Sequence, residues 1–138
     1  MTDGDLKKIE SQLAHPVPDV YRQFMIAHGE ELRKAKEAMP RRAMIYRDAG
    51  DVIKNNRFAR EHADDVFPIG PKDTPFAESY FMIGDNGGGD YWFIKRESPE
   101  SGVWFYECES HEVSKANKSL DDYLDEVRKA MRKQEKQR

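Results

Sequence analysis

Three short apolar runs dominate the hydrophobic pattern of this chain. They are Tyr80–Ile83, Tyr91–Ile94 and Val103–Tyr106, and segments rich in Gly, Asp, Ser and Pro separate them. Such runs, aromatic and bounded by turn residues, are typical of β-strands, and the breaks are short enough for hairpins. The pattern predicts a three-stranded antiparallel meander. Because apolar and polar residues do not alternate, we expect both faces to be covered, or one face to be a binding surface.

Helical spacing of apolar residues, together with capping residues, predicts two of the three helices expected before the meander. One covers Asp3–Leu13, with a capping box formed by Thr2 and Asp5. The other covers Asp48–Arg60, with Asp48 as its N-cap. Both helices place their apolar residues on one face, as expected for helices that cover a sheet.

A further helix begins at Pro18, where the missing N–H costs nothing. Gly29 is a candidate C-terminal stop for it. Residues 30–39 have high helix propensity but only a thin apolar stripe. The sequence leaves open whether they extend the helix or form a solvated excursion that ends at Pro40.

Shorter elements complete the prediction. Ala43–Tyr46 is a candidate edge strand, and Val66–Ile69 is a short strand before the meander. Residues 107–112 read as an acidic turn. Ser119 and Asp122 fit a capping box for a last helix, whose apolar stripe runs to residue 131. We therefore expect one domain over residues 1–131 and a charged, frayed tail over residues 132–138.

Composition narrows the class of protein. A chain of 138 residues is one domain by length, and 38% hydrophobic with 36% charged residues indicates a polar globule. The longest apolar runs have four residues, so we expect no membrane span, and the N-terminus lacks the apolar core of a signal peptide. The single cysteine, Cys108, excludes an internal disulfide. Together these features predict a cytoplasmic protein.

The net charge of −3 is unevenly distributed. Residues 66–112 contain nine acidic and three basic residues, which gives −6, whereas residues 113–138 contain five acidic and eight basic residues, which gives +3. An acidic surface disfavours nucleic acid and favours a basic partner.

The glycine-rich break between the first two runs offers two chemistries. Backbone N–H groups of Gly87–Gly89 could hold a phosphate, but a strand follows them where a phosphate loop needs a helix, so we favour a structural turn or bulge. Asp85, Asn86 and Asp90 could hold calcium, but they lack the alternating spacing and terminal Glu of an EF-hand. The simpler interpretation is that they cap the turn.

Residues after the third run could support catalysis. Cys108 and His111 form a C-x-x-H pair, although a structural zinc needs four ligands and a nucleophilic cysteine needs an adjacent, oriented base. Glu107, Glu109 and Glu112 could act as general acids or bases. A small cysteine after a strand and a solvated acidic surface are the simpler interpretations.

Taken together, the motifs resemble the SUKH superfamily, which includes the fungal Smi/Knr cell-wall-assembly regulators and many bacterial immunity proteins. The resemblance covers residues 17–127, and it is the order of its motifs that is specific. The similar stretches are Val17–Met25, Phe67–Gly70, Gly84–Tyr91, Val103–Tyr106 with His111 and Glu112, and Ser119–Leu124. His28-Gly29 and the apparent insertion Pro71–Ser79 depart from the family pattern.

The resemblance implies an α+β fold, with a mainly antiparallel sheet of about 4–6 strands flanked by helices at both ends of the chain. It implies no enzymatic activity, no cofactor and no metal. Bacterial members commonly neutralise toxins, often nucleases, and fungal members act as scaffolds. We therefore expect a protein partner, a basic cognate toxin, and neither nucleic acid nor membrane. The alternative is a small-ligand, calcium-binding or scaffolding domain centred on residues 84–90.

The sequence assigns two groups of site residues. The expected partner-binding residues are Asp85, Asp90, Glu107, Glu109 and Glu112. The structural motif consists of Pro18, Tyr21, Phe24, Gly87, Gly88, Gly89, Asp90 and Trp104. Because a β-branched residue tolerates positive φ poorly, we expect Gly88→Val to destabilise the fold before it affects binding.

Overall fold

The computed structural model describes residues 1–38, 45–46, 48–61, 80–96 and 102–136. Within these ranges the chain forms four helices and a four-stranded antiparallel sheet, which confirms the predicted α+β class. The helices are α1 (Asp3–Leu13), α2 (Asp19–Ala38), α3 (Ala49–Glu61) and α4 (Leu120–Lys136). The strands are β1 (Tyr80–Asp85), β2 (Tyr91–Lys95), β3 (Val103–Glu107) and β4 (Glu112–Asn117).

Helix α1 has the predicted bounds and the predicted capping box. The Thr2 Oγ accepts a hydrogen bond from the Asp5 N–H at 3.2 Å, and the Asp5 carboxylate accepts one from the Thr2 N–H at 2.9 Å. These two bonds satisfy donors that a helix start leaves unpaired. The apolar stripe of α1 is fully buried, so the helix is held by its packing as well as by its cap.

Helix α2 continues through Gly29 to Ala38, so the predicted stop at Gly29 is wrong and the open question of residues 30–38 is answered as helix. Gly29 is buried, and a Cβ atom added there would lie 2.7 Å from the backbone nitrogen of Met1. The glycine therefore provides room for the chain terminus against the helix. Leu32 and Ala35 bury the thin stripe beyond it.

Helix α3 begins after its predicted cap, because the Asp48 Oδ1 accepts a hydrogen bond from the Asp51 N–H at 2.9 Å. Its buried Asn56 joins the helix to the sheet. The Asn56 amide donates to the Met82 carbonyl at 3.0 Å and accepts from the Met82 N–H at 2.9 Å. A buried amide with its groups paired in this way fixes α3 along strand β1.

The strands follow one another in the order β1-β2-β3-β4. The three predicted strands are confirmed, and β4 is an addition: it begins at Glu112, the last residue of the predicted acidic turn, and no element was predicted for residues 113–116. Strand β4 was missed because its side chains are exposed from Glu112 to Ala116, so it carries no buried apolar run. The strand is the outer one of the sheet on that side.

The register places buried residues on both faces of the sheet. Cross-strand partners share a face, so Phe81 lies beside Ile94 on one face, and Met82 lies beside Phe93 on the other. All four side chains are buried. The ring of Tyr21 on α2 packs against Phe81 with 5.0 Å between the ring centroids. Both faces are therefore covered at the centre of the sheet, as the lack of alternation predicted.

The predicted edge strand at residues 43–46 is reduced to a bridge within the described residues. Ile45 forms an isolated antiparallel bridge with Gly84, and the Tyr46 N–H donates to the Ile83 carbonyl at 2.8 Å. Residues 43 and 44, the predicted strand Val66–Ile69, the similar stretch at residues 67–70 and the insertion at residues 71–79 lie outside the described residues.

Helix α4 has the predicted cap, because the Ser119 Oγ accepts a hydrogen bond from the Asp122 N–H at 3.0 Å. It extends to Lys136, further than the predicted stripe, and residues 137–138 lie outside the description. The Gln134 side chain donates to the Ala38 carbonyl at 3.0 Å, and Arg128 holds Glu31 by two hydrogen bonds of 2.8 Å. These contacts join α4 to α2 and explain why the predicted tail continues as helix.

Candidate functional site

The segment from Gly84 to Asp90, called here the glycine loop, closes on itself through its own side chains. The Asp85 Oδ1 accepts a hydrogen bond from the Gly87 N–H at 2.8 Å. The Asn86 Oδ1 accepts from the Gly88 N–H at 2.9 Å. Short Asp and Asn side chains that accept from the backbone two residues later are a common turn device. The loop therefore forms a turn that its own Asp and Asn side chains stabilise.

Two of the three glycines have backbone conformations that other residues rarely adopt. Gly87 has a φ of 77° and Gly89 a φ of 96°. Gly88 is not among the glycines with positive φ, and a Cβ atom there would lie 3.4 Å from the Asn86 Oδ1, an ordinary contact. The reason given for expecting Gly88→Val to destabilise the fold is therefore wrong. It applies to Gly89, where a Cβ atom would lie 3.2 Å from the Cys108 Sγ.

Asp90 joins the glycine loop to residues 107–112, called here the acidic hairpin. Its Oδ1 accepts a hydrogen bond from the Cys108 N–H at 2.8 Å, and its Oδ2 accepts one from the Asn86 amide at 2.8 Å. The Cys108 N–H bond is the main cause that lowers the pKa of Asp90, with Asn86 second. The Asp90 carboxylate is thus held by two donors of the protein.

Asp85 is likewise engaged inside the protein. Its Oδ2 accepts a hydrogen bond from the Tyr46 hydroxyl at 2.6 Å, while its Oδ1 accepts from the glycine loop. Burial, and then the hydrogen bond to Asp85, raise the pKa of Tyr46 above its ordinary value. The structure therefore places both predicted partner-binding aspartates, Asp85 and Asp90, at the base of the site, where each is half-buried.

The other three predicted partner-binding residues are exposed on the acidic hairpin. Glu107 and Glu112 are direct cross-strand partners at its base, and Glu109 lies in the turn between them. Within the described residues, no ion pair holds any of the three glutamates. The structure thus brings all five predicted acidic residues to one end of the sheet, with three facing solvent and two facing inward.

The predicted structural residues lie in the core or at element starts. The Pro18 carbonyl accepts a hydrogen bond from the Arg22 N–H at 3.0 Å in the first turn of α2, and Tyr21 and Phe24 are buried. Trp104 is half-buried on the sheet, and the Lys95 ammonium lies 3.6 Å from its ring centroid. A cation at this distance over an indole is attracted by the ring quadrupole.

The contacts of Cys108 and His111 do not form a nucleophile and base. The Cys108 thiol donates to the Gly88 carbonyl at 3.4 Å, and its neighbour Asp90 raises the pKa of the thiol, chiefly through a hydrogen bond. The His111 Nδ1 lies 2.8 Å from the Tyr106 hydroxyl. A raised thiol pKa lowers the thiolate fraction, which is opposite to what a cysteine nucleophile needs.

The oxygens that could bind calcium in the glycine loop already accept hydrogen bonds within the protein. The carboxylate and amide oxygens of Asp85, Asn86 and Asp90 accept hydrogen bonds from groups of the protein. Among the residues that the structure describes, no group of three or more His, Cys, Asp or Glu side chains is placed to hold a metal ion.

Sequence reasoning missed two features of this site. The first is Tyr46, which lies 39 residues before Asp85 and carries no local signal of its contact with that carboxylate. The second is β4. Its residues Val113–Ala116 do not place apolar side chains on one face, so they give no strand signal. Both features depend on contacts with another segment of the chain, which a local sequence pattern does not show.

The fold and the loop define an α+β domain in which a glycine-rich segment connects β1 to β2 and contacts the acidic hairpin between β3 and β4. A comparison with protein families matches residues 1–126 to the SMI1 / KNR4 family (SUKH-1), and the chain belongs to this family. The corresponding comparisons found no matching curated protein and no matching solved structure. Within the described residues, no helix is both long enough and apolar enough to span a bilayer.

Proposed function

We propose that this chain is a non-enzymatic, cytoplasmic immunity protein, which neutralises a basic toxin domain by binding it through the acidic hairpin. Family membership supports a protein-binding role. The observation that carries the proposal is the exposure of Glu107, Glu109 and Glu112 on one hairpin, with no ion pair to another described residue.

The pairing of Glu107 with Glu112 has an energetic consequence. Like charges placed directly opposite each other on neighbouring strands destabilise a sheet. Glu107 and Glu112 are directly opposite each other on β3 and β4. A cationic partner would relieve this repulsion, and the complementary field would raise the rate of encounter. The arrangement favours binding over the stability of the isolated domain.

Asp85 and Asp90 support this surface from below. Asp90 holds the Cys108 N–H inside the hairpin turn, and Asp85 holds the start of the glycine loop. Their oxygens are occupied by protein donors. In the proposed complex these aspartates add to the negative field and fix the hairpin geometry, whereas the three exposed glutamates make the contacts.

Isothermal titration calorimetry against the purified products of the neighbouring genes tests this proposal. The first variant carries Glu107→Gln, Glu109→Gln and Glu112→Gln. The matched control carries Asp125→Asn, Glu126→Gln and Glu135→Gln, which are three exposed acidic residues on α4. Both variants raise the net charge by the same amount, so only the position of the charges differs.

We expect one gene product to bind the wild type with 1:1 stoichiometry and an affinity that falls as salt rises. The hairpin variant should bind at least tenfold more weakly, and the α4 variant should bind as the wild type does. Equal losses in the two variants would show that only net charge matters and would reject the hairpin as the contact. If no neighbouring gene product binds at low salt, the immunity proposal fails.

A further inference from the structure

The two edges of the sheet differ in how their backbone groups are used. At the β1 edge, the Asn56 amide pairs with both backbone groups of Met82, and the Tyr46 N–H pairs with the Ile83 carbonyl. At the β4 edge, no hydrogen bond from outside β3 reaches the backbone of residues 113–116 within the described part of the chain. One edge is closed, and the other presents its backbone to solvent.

Within the described residues, the side chains along the β4 edge are open to solvent. All residues from Glu112 to Ala116 are exposed, including the apolar Val113, whose exposed fraction is 38%. Alternate residues of an outer strand direct their N–H and C=O groups away from the sheet, which is a template for another strand. The register shifts beyond Lys115, because Trp104 pairs with Lys115 while Val103 pairs with Asn117. Four regularly paired residues remain, enough for a short added strand.

The charges around the β4 edge indicate which kind of ligand would bind there. The acidic hairpin lies at the beginning of β4, so a strand added there would lie beside Glu112, with Glu107 one strand further into the sheet. The only cation within residues 112–117 is Lys115, and its ammonium lies 5.8 Å from the Trp104 ring centroid. That ammonium is therefore directed over the sheet face. An extended segment with Lys or Arg side chains is the complementary ligand.

We propose that the outer edge of β4 binds an extended, basic segment of a protein partner as a fifth strand of the sheet. Main-chain hydrogen bonds to β4 supply the affinity, and the hairpin glutamates select cationic side chains. This inference deepens the proposed function and rests on it for the identity of the natural partner. The edge itself can be tested without that partner.

An NMR titration with synthetic peptides provides the test. The probe is a ten-residue peptide of alternating lysine and valine. The control peptide replaces each valine by proline, which keeps the charge but removes the donors that a strand needs. We expect the probe to cause saturable shifts of the β4 amide signals, and the control peptide to affect at most the signals of the acidic hairpin.

Two proline variants of the protein sharpen the result. Val113 and Ser114 are neighbours, so one directs its N–H toward β3 and the other directs it outward. Of Val113→Pro and Ser114→Pro, the inward change should lower the melting temperature, and the outward change should leave it nearly unchanged. The well-folded variant should bind the lysine–valine peptide at least tenfold more weakly than the wild type does.

Three results would overturn the inference. Equal binding of both peptides, or undiminished binding by the well-folded proline variant, would show that only electrostatic attraction to the hairpin operates. Shifts of β4 signals that depend on protein concentration without peptide would identify a second copy of the chain as the occupant. Absence of shifts at millimolar probe would show that the edge does not accept a strand. The immunity proposal would survive each result, because its own test is calorimetric binding of a gene product.

Discussion

Asp90 accepts a hydrogen bond from the backbone N–H of Cys108 at 2.8 Å, and this bond joins the glycine loop to the acidic hairpin. The glycines provide the close approach that the bond needs, because any Cβ atom on Gly89 would press on the cysteine side chain. The glycine loop thus packs against the acidic hairpin, and the Asp90 bond fixes the two segments relative to each other.

We expect Asp90→Ala to lower the free energy of unfolding by about 1–3 kcal/mol, because it leaves the Cys108 N–H and the Asn86 amide without their acceptor. Urea unfolding measures the change. Glu109→Ala is the matched control on the same hairpin, and since Glu109 is exposed, its effect should stay within about 0.5 kcal/mol. A loss no larger than that of the control would show that the bond does not stabilise the loop.

The same carboxylate should make stability depend on pH. The folded-state pKa of Asp90 is lowered by its hydrogen bonds, so the unfolded state binds the proton more tightly. The stabilisation is therefore fully present above the unfolded value of about 3.9 and is lost as pH falls through the lower folded value. Urea unfolding of the wild type and of Asp90→Asn should show a stability difference that shrinks below about pH 4. A constant difference would contradict the assignment.

Gly89→Ala should destabilise the protein by about 1–2 kcal/mol, because φ is 96° and the new methyl group would lie 3.2 Å from the Cys108 Sγ. Gly88→Ala is the matched control, since Gly88 has no positive φ and meets only the Asn86 side chain at 3.4 Å. Thermal unfolding of the two variants should separate them clearly. Equal destabilisation would mean that the loop is sensitive to any added side chain.

Cys108 should react slowly with thiol reagents in the folded protein. The pKa of the thiol is raised, chiefly by its hydrogen bond with Asp90. At a given pH the fraction of reactive thiolate is therefore smaller than in free cysteine. The rate of reaction with Ellman's reagent at pH 7.5 should be below that of free cysteine and should increase in Asp90→Asn. A folded wild type that reacts faster than free cysteine would restore the nucleophile hypothesis.

The sequence predicted the elements that bury apolar residues and missed those that do not. Helix α1 and the strands β1–β3 follow from the spacing of residues such as Leu6, Phe81 and Phe93, which are fully buried. Strand β4 has no buried apolar residue, and its single buried residue is the polar Asn117. Its strand state comes from pairing with β3, which is a property of the neighbour and cannot be read from the segment itself.

The sequence indicated which residues the candidate site contains but not how they are arranged. The five acidic residues lie at one end of the sheet, yet Asp85 and Asp90 turn inward to donors that are distant or unremarkable in sequence, namely Tyr46 and the Cys108 N–H. Gly29 shows the same limit, because a helix stop and a close packing contact both select glycine. A single sequence identifies residue types suited to a role, and tertiary contacts decide which role they take.

The closed edge of the sheet yields the last prediction. Asn56 is buried, and its amide pairs with the Met82 N–H and carbonyl and with the Val52 carbonyl. Asn56→Ala should lower the free energy of unfolding by about 2–4 kcal/mol, since it leaves both Met82 groups unpaired. The matched control is Asn55→Ala, which removes one hydrogen bond to the Asp51 carbonyl and should cost less than about 1 kcal/mol.

Asn56→Asp adds a test based on the direction in which stability changes with pH. Its carboxylate would face the two carbonyl oxygens of Val52 and Met82, so the folded-state pKa of the new group would be raised by repulsion and burial. The destabilisation relative to the wild type should be largest near neutral pH and should shrink as pH falls toward the unfolded value of about 3.9. Urea unfolding between pH 7 and pH 4 measures it. A destabilisation that grows toward low pH would contradict the donor role of the Asn56 amide at this edge.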